Sequence, residues 1–239
     1  MKQFSVKSIA LSVIIFFSFP ASCVAALSSA DITSKAAAID MAEPQKLVSF
    51  DGVWRAALVR WAFDLMDHWH LSRTNVAFAL EIFEHYVDKR AGLQKNYNLY
   101  FATSLLIAIK LNQRHVRIKD LIKYCDHVFG KKEVFAAERE ICERLCWKTF
   151  YPIPAQFIQI VYDYMCLHPY YKHDDELKVT VQVFYKVALF ESEKACFKAK
   201  GMRSRALAVN NMIDAVNAMA IPKPHRDFLF STIKKLVDK

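Results

Sequence analysis

From Val53 onward the apolar positions of this chain recur at three- and four-residue steps, the period of an α-helix, and not at every second residue as in a half-buried strand. Trp54, Ala57, Leu58, Trp61 and Leu65 form one such stripe and predict a first helix over about Val53 to Trp69. A second starts at the Ser72 cap and runs to about Lys89, ahead of Gly92. The third, about Asn96 to Leu111, contains YNLYFATSLLIAIKL, apolar nearly all the way round, so other helices must enclose it. A fourth is expected from about Ile118 to Phe129, closing at Gly130, and a fifth from about Lys132 to Trp147. Tyr151-Pro152-Ile153-Pro154 then breaks the chain, because neither proline can continue a helix. Beyond this boundary helices are expected at about Ala155 to Leu167, Glu176 to Lys194, Ser204 to Met219 and His225 to Val237, with the apolar Leu207 to Met219 in the place of the enclosed third helix. The pattern predicts an all-α protein of two related helical bundles in tandem, although the halves share too little identity to be read as a sequence repeat.

Composition sharpens this by exclusion. Only 4 Gly and 7 Pro occur in 239 residues, where average usage is about 12% for the two together. A phosphate-cradling loop needs clustered glycines, and Gly52, Gly92, Gly130 and Gly201 stand far apart. A β sandwich needs frequent turn residues, yet no proline falls between Val53 and Tyr151. The net charge of +9 is spread along the chain. Its densest stretch, Lys194, Lys198, Lys200, Arg203 and Arg205, reads as a solvated loop between helices, with a phosphate backbone or an acidic protein surface as the sharper alternative. Six cysteines include no CxxC pair and no histidine at zinc-ligand spacing, so no metal site is expected. Cys142 and Cys146 lie one turn apart, but reduced core thiols are the simpler reading.

The first 26 residues stand apart. Lys2 and Lys7 precede an apolar run from Ile9 to Phe19, and Val24-Ala25-Ala26 fits the small-residue cleavage rule of a secretory signal. The run is too short for a stable membrane span. Cleavage would leave a charge of +7 and five cysteines. Residues 27–47, small and polar, read as a lead-in segment.

Two charges in the apolar pattern need partners. Arg55 lies among Trp54, Ala56, Ala57 and Leu58, and an unpaired guanidinium there would cost several kcal/mol. Glu84, on a helix otherwise presenting Phe78, Leu80, Phe83 and Val87, is the candidate, and the pair would set how the first two helices cross; the alternative is that Arg55 snorkels to solvent. Lys110 carries the single charge of the third helix, in its last turn, and Glu138 on the fifth could meet it. That pair reads either as a helix-end salt bridge or as a clamp for a partner's main chain. Glu81, Glu84 and His85 on one helix, and Asp64 and His68 on another, suggest metal ligands, but the repeated Glu-x-x-His pairs of a di-iron bundle are missing. They are expected to be surface polar residues.

At these residues the chain resembles a known family. WRAALVRW, FALEIFEHYVDKR, LYFATSLLIAIKL, VFAAEREICERLCWK and YPIPAQF, in that order over about 105 residues, look like a cyclin box. The HW and SR pattern between Asp67 and Arg73 is most similar to cyclins of the protist and diatom type. The resemblance implies the all-α cyclin fold, with a complete first box of five helices and a second, shorter box that stops where a fifth helix would be expected. The implied domains are a signal-like leader at 1–26, the lead-in at 27–47, an N-terminal box at 48–152 and a C-terminal cyclin-like domain at 153–239. It also implies that Arg55 and Glu84, where the family usually has aspartate, form a buried structural pair. Leu99 would take the family's core leucine position, and Lys110 and Glu138 the positions that grip the kinase, with Phe135 adding contact area. Trp54, Leu58, Trp61 and Asp64 match the family's substrate-docking patch in character, while Ala57, Tyr97 and Asn98 depart from it.

The implied function is that of a regulatory subunit that binds and activates a cyclin-dependent serine/threonine protein kinase, in the cell cycle, with catalysis belonging to the partner. No catalytic residue, cofactor, metal or small-molecule substrate is expected of this chain. The implied location is nucleus and cytoplasm, in conflict with the leader, a conflict that a misassigned start would also produce. The rival reading is a cyclin-fold transcription factor binding nucleic acid. It suits the charge, but such factors carry an amino-terminal zinc ribbon and this chain has no CxxC.

Overall fold

The computed structural model describes residues 52–89, 96–112, 116–197 and 204–237. The leader, the lead-in, and Lys198, Lys200 and Arg203 of the basic stretch lie outside the described residues. Among those described there are ten helices and no strand. In chain order they are α1 Gly52–His68, α2 Thr74–Asp88, α3 Tyr97–Leu111, α4 Ile118–Tyr124, α5 Lys131–Arg144, α6 Pro154–Leu167, α7 Pro169–His173, α8 Asp175–Ala195, α9 Ser204–Ala218 and α10 Lys223–Val237.

Several helix C-terminal ends differ from the sequence reading, for one physical reason. Helix α4 stops at Tyr124 and not near Phe129, and α5 at Arg144 and not near Trp147. In both places the backbone turns into the left-handed region without glycine, at Asp126 (φ 49°) and Cys146 (φ 51°). The next N–H reaches back across the last turn, from His127 to the Ile122 carbonyl (3.1 Å) and from Trp147 to that of Cys142 (2.7 Å). Helix α1 closes in the same way at His70 (φ 52°), with Leu71 N–H on the Met66 carbonyl at 2.8 Å. These are Schellman closures built on residues that disfavour the conformation by about 1–2 kcal/mol. Pro154 opens α6 one residue earlier than expected, because the first helical position needs no N–H. The five-residue α7, also opened by a proline, was not anticipated.

Helix α3 is the axis of the first bundle. Every residue from Tyr100 to Ile109 is buried, and α1, α2, α4 and α5 surround it. Phe83 meets Phe101 edge to face at 5.5 Å, and Tyr86 lies 4.9 Å from Tyr100, so aromatic pairs fill the α2–α3 seam. The second bundle forms a separate apolar cluster around α9, where Ala208, Met212, Ala215 and Val216 meet α6, α8 and α10.

Polar and aromatic contacts join the two bundles. The Arg55 guanidinium, 3% exposed, donates through Nη1 to Glu84 on α2 and through Nε to the Cys196 carbonyl at 2.8 Å, at the C-terminal cap of α8. One side chain thus ties α1, α2 and the second bundle. Arg73, between α1 and α2, grips both oxygens of Asp67 (2.8 and 2.6 Å) and reaches Glu193 on α8 at 3.1 Å. Those hydrogen bonds hold the Asp67 carboxyl below the usual carboxylate range. Phe197 packs on Phe63 at 5.7 Å, and Ser204 Oγ donates to the Pro152 carbonyl at 2.9 Å.

Arg55→Ala would leave Glu84 and the Cys196 carbonyl buried without this donor, at a cost of about 3–5 kcal/mol. In a chain of this size that lowers the thermal midpoint by on the order of 10 °C. A scanning calorimetry shift under about 2 °C would show that the guanidinium does not bind these elements together.

Candidate functional site

Two features of the first bundle's surface are candidates for contact with other molecules. The first lies where α3 and α5 meet. Lys110 emerges from the last turn of α3, and its Nζ donates to Glu138 Oε1 of α5 at 2.6 Å. The pair sits at the surface, with the lysine side chain 42% exposed and the glutamate 22%. An ammonium has three donors and this bond uses one; a carboxylate has two oxygens and this bond uses one. One turn before Glu138, Phe135 exposes 47% of its surface, with the Lys131 ammonium 5.4 Å from its ring centroid. One turn after, Cys142 is buried, and burial, reinforced by the Glu138 charge, pushes its thiol up to about 11. The face therefore combines an exposed aromatic ring with adjacent donor and acceptor groups on rigid helices.

The second feature is a cavity of about 570 Å³ between α1, the start of α3 and the α4–α5 connection. Trp54, Leu58 and Trp61 line it from α1, with Ala57 leaving space between the two indoles. Trp54 meets Tyr97 edge to face at 6.2 Å, and Trp61 meets Phe101 likewise at 6.3 Å, so both indoles are oriented by α3. Asp64, one turn beyond Trp61, is exposed on α1 and is not among the lining residues. The opposite wall comes from Tyr124, Cys125, Asp126 and Phe129, which the sequence reading missed. It had extended α4 through them. The turn after Tyr124 is what brings this wall over the groove. Burial, with Asp126 beside it, pushes the Cys125 thiol up to about 12.

The remaining candidates fall elsewhere. Arg55 and Glu84 are brought together in the interior, and neither lines the cavity. Leu99 is half-buried and packs against the rim of the first core. Glu81, Glu84 and His85 are not surface residues as expected: each is at most 6% exposed. Glu84 is taken up by Arg55, and His85 stacks on Tyr151 at 3.8 Å with Glu81 4.0 Å from its Nε2. Asp64 and His68 are exposed. Among the described residues no group of three His, Cys, Asp or Glu side chains could hold a metal, and no helix is long and apolar enough to cross a membrane. Of the basic stretch, Lys194 pairs with Glu191 at 2.7 Å and Arg205 donates to the Leu236 carbonyl at 3.0 Å.

Comparison with known proteins places this geometry. Residues 25–149, just over half the chain, match the family described as the cyclin N-terminal domain. The chain belongs to the cyclin family. It is 27% identical over 121 residues to the G2/mitotic-specific cyclin-B3 of Gallus gallus, covering 50% of this chain and 30% of the relative. It is 24% identical over 155 residues to the cyclin-O protein A of Xenopus laevis, covering 64% and 39%. The chain thus spans well under half the length of these relatives. Its fold is similar to a viral cyclin from herpesvirus saimiri, with a TM-score of 0.63 at 17% identity over 87% of this chain and 95% of that one. That likeness extends the cyclin fold into the second bundle. A CAK complex of Chaetomium thermophilum bound to ATP-gamma-S matches with a TM-score of 0.50 at 14% identity, over 98% of this chain and 80% of that one.

An exposed ion pair contributes at most about 1 kcal/mol. Replacing both Lys110 and Glu138 by Ala is therefore expected to leave the far-ultraviolet circular dichroism unchanged and to move the thermal midpoint by less than about 4 °C. Loss of cooperative melting would place the pair in the core.

Proposed function

We propose that this chain is the regulatory subunit of a cyclin-dependent serine/threonine protein kinase, acting in the cell cycle, in the nucleus and cytoplasm. The observation that carries the reading is the Lys110–Glu138 pair, held at the surface beside the exposed ring of Phe135 on two packed helices. Such a surface can dock a helix. The ring and its apolar surroundings supply contact area, while the ammonium and carboxylate bond main-chain groups of the partner. Packed against the kinase's αC helix, it would push that helix inward, so that the kinase's own Lys–Glu ion pair holds the ATP phosphates. All the chemistry stays on the kinase. Trp54, Leu58 and Trp61, with Asp64 nearby, form a docking groove for substrates carrying a short basic and hydrophobic motif.

The nucleic-acid reading draws on the net charge of +9. It is weakened by Lys194 and Arg205, which are both engaged within the second bundle.

With its kinase supplied, the Lys110→Ala and Glu138→Ala double variant is expected to bind and activate at least tenfold less well than wild type while melting normally. Equal activation by the variant would remove these residues from the interface. Reversing Lys194, Lys198, Lys200, Arg203 and Arg205 to Glu should spare kinase binding. Wild type should bind DNA only weakly and without sequence preference, with an affinity that falls steeply between about 50 and 200 mM salt. Sequence-selective binding that tracks those five residues, with no kinase captured, would reverse the order of the two readings.

A further inference from the structure

Helix α8 has two unlike faces. Leu177, Val181, Phe184, Ala188 and Ser192 are buried toward the second core. On the opposite side Val179, Val183, Lys186 and Phe190 follow one another at four-, three- and four-residue steps, a straight stripe along a helix. Val179 is 61% exposed, Val183 43% and Phe190 56%. Among the described residues the other exposed large apolar side chains, such as Trp54, Phe135 and Trp147, occur singly on their own elements. The stripe is bounded by charge of opposite sign, with exposed Glu176 at its N-terminal end and exposed Lys194 at its C-terminal end.

We propose that this stripe is the seam of a homodimer, in which α8 of one copy lies antiparallel on α8 of a second copy about a two-fold axis near Tyr185. The charges choose both the occupant and the direction. Parallel pairing would set Glu176 on Glu176, Lys186 on Lys186 and Lys194 on Lys194. Antiparallel pairing sets Glu176 of each copy against Lys194 of the other and Val179 against Phe190. Lys186 then falls opposite Val183, where its four-carbon stem covers the valine while the ammonium stays in water. The two helix dipoles also oppose one another. The Lys194 ammonium, 5.6 Å from the Phe190 ring centroid and bonded to Glu191, keeps these contacts and adds Glu176 of the second copy. A seam of three apolar side chains and a few aliphatic stems falls short of the roughly 800 Å² per partner of a standard interface, so the dimer is weak and concentration-dependent. It does not rest on the kinase reading. The α3–α5 face belongs to the first bundle and is not part of the seam, so a dimer would carry two such faces.

Sedimentation equilibrium of the full chain tests this. The average mass should rise from that of one chain at about 1 µM toward twice that value at about 500 µM. Val183→Glu should weaken the association at least tenfold without altering helical content. Glu176→Lys and Lys194→Glu should each weaken it alone, and an equimolar mixture of these two variants should recover wild-type association, because each supplies the charge the other lacks. A mass that stays at one chain throughout, or that rises equally in Val183→Glu, overturns the proposal. So does recovery failing in the mixture. Loss of a kinase from Val183→Glu, with no change in mass, would instead make the stripe a contact for that partner.

Discussion

A guanidinium buried between α1, α2 and the end of α8 is the constraint from which the rest of the architecture follows. Arg55 cannot lie in an apolar interior without partners, and it has two of different kinds, the Glu84 carboxylate and the Cys196 carbonyl. The carboxylate balances the charge and fixes the crossing of the first two helices. The carbonyl extends the bond across the bundle boundary, so the C-terminal end of α8 is seated on the first bundle by the same side chain. Burial pushes the Cys196 thiol up to about 12, and that end of α8 belongs to the first core although most of the helix serves the second. An outer contact, Arg73 between Asp67 and Glu193, repeats the connection nearer solvent, where it is worth less.

With α1, α2 and α8 fixed, α3 can be apolar nearly all round, and the two candidate surfaces lie at its two ends. At its start, Tyr97 and Phe101 orient the indoles of the groove. At its last turn, Lys110 reaches the surface and meets Glu138. Neither feature requires a moving part. Both are surfaces presented by packed helices, as the proposed docking role requires.

The enclosed helix and the two charges that break the apolar pattern were legible in the sequence, because burial leaves a mark on residue type. A helix with apolar residues on every face, or one arginine among alanines and tryptophans, has few physical explanations. Helix ends were less legible. The rule that glycine takes the left-handed closing position misplaced the end of α4, where Asp126 holds that position, and α5 closes before Trp147 because Cys146 turns the same way with no glycine to signal it. The groove wall formed by Tyr124 to Phe129 was lost with the same error. The Cys196 carbonyl could not be foreseen at all, since every residue carries a carbonyl and only the tertiary fold selects one. Glu81 and His85 were misread for the opposite reason: polar residues on a helix are usually solvated, and nothing local announces the Tyr151 ring that covers His85.

The central claim is that the α3–α5 face, and not the second bundle, meets the kinase. Hydrogen–deuterium exchange of this chain, alone and in complex with the kinase it captures, addresses that claim directly. The account predicts slowed exchange in the last turn of α3 and in the first three turns of α5, around Lys110, Phe135 and Glu138, with α9 and α10 unchanged. Slowed exchange confined to the second bundle, with α3 and α5 exchanging as in the free chain, would contradict it.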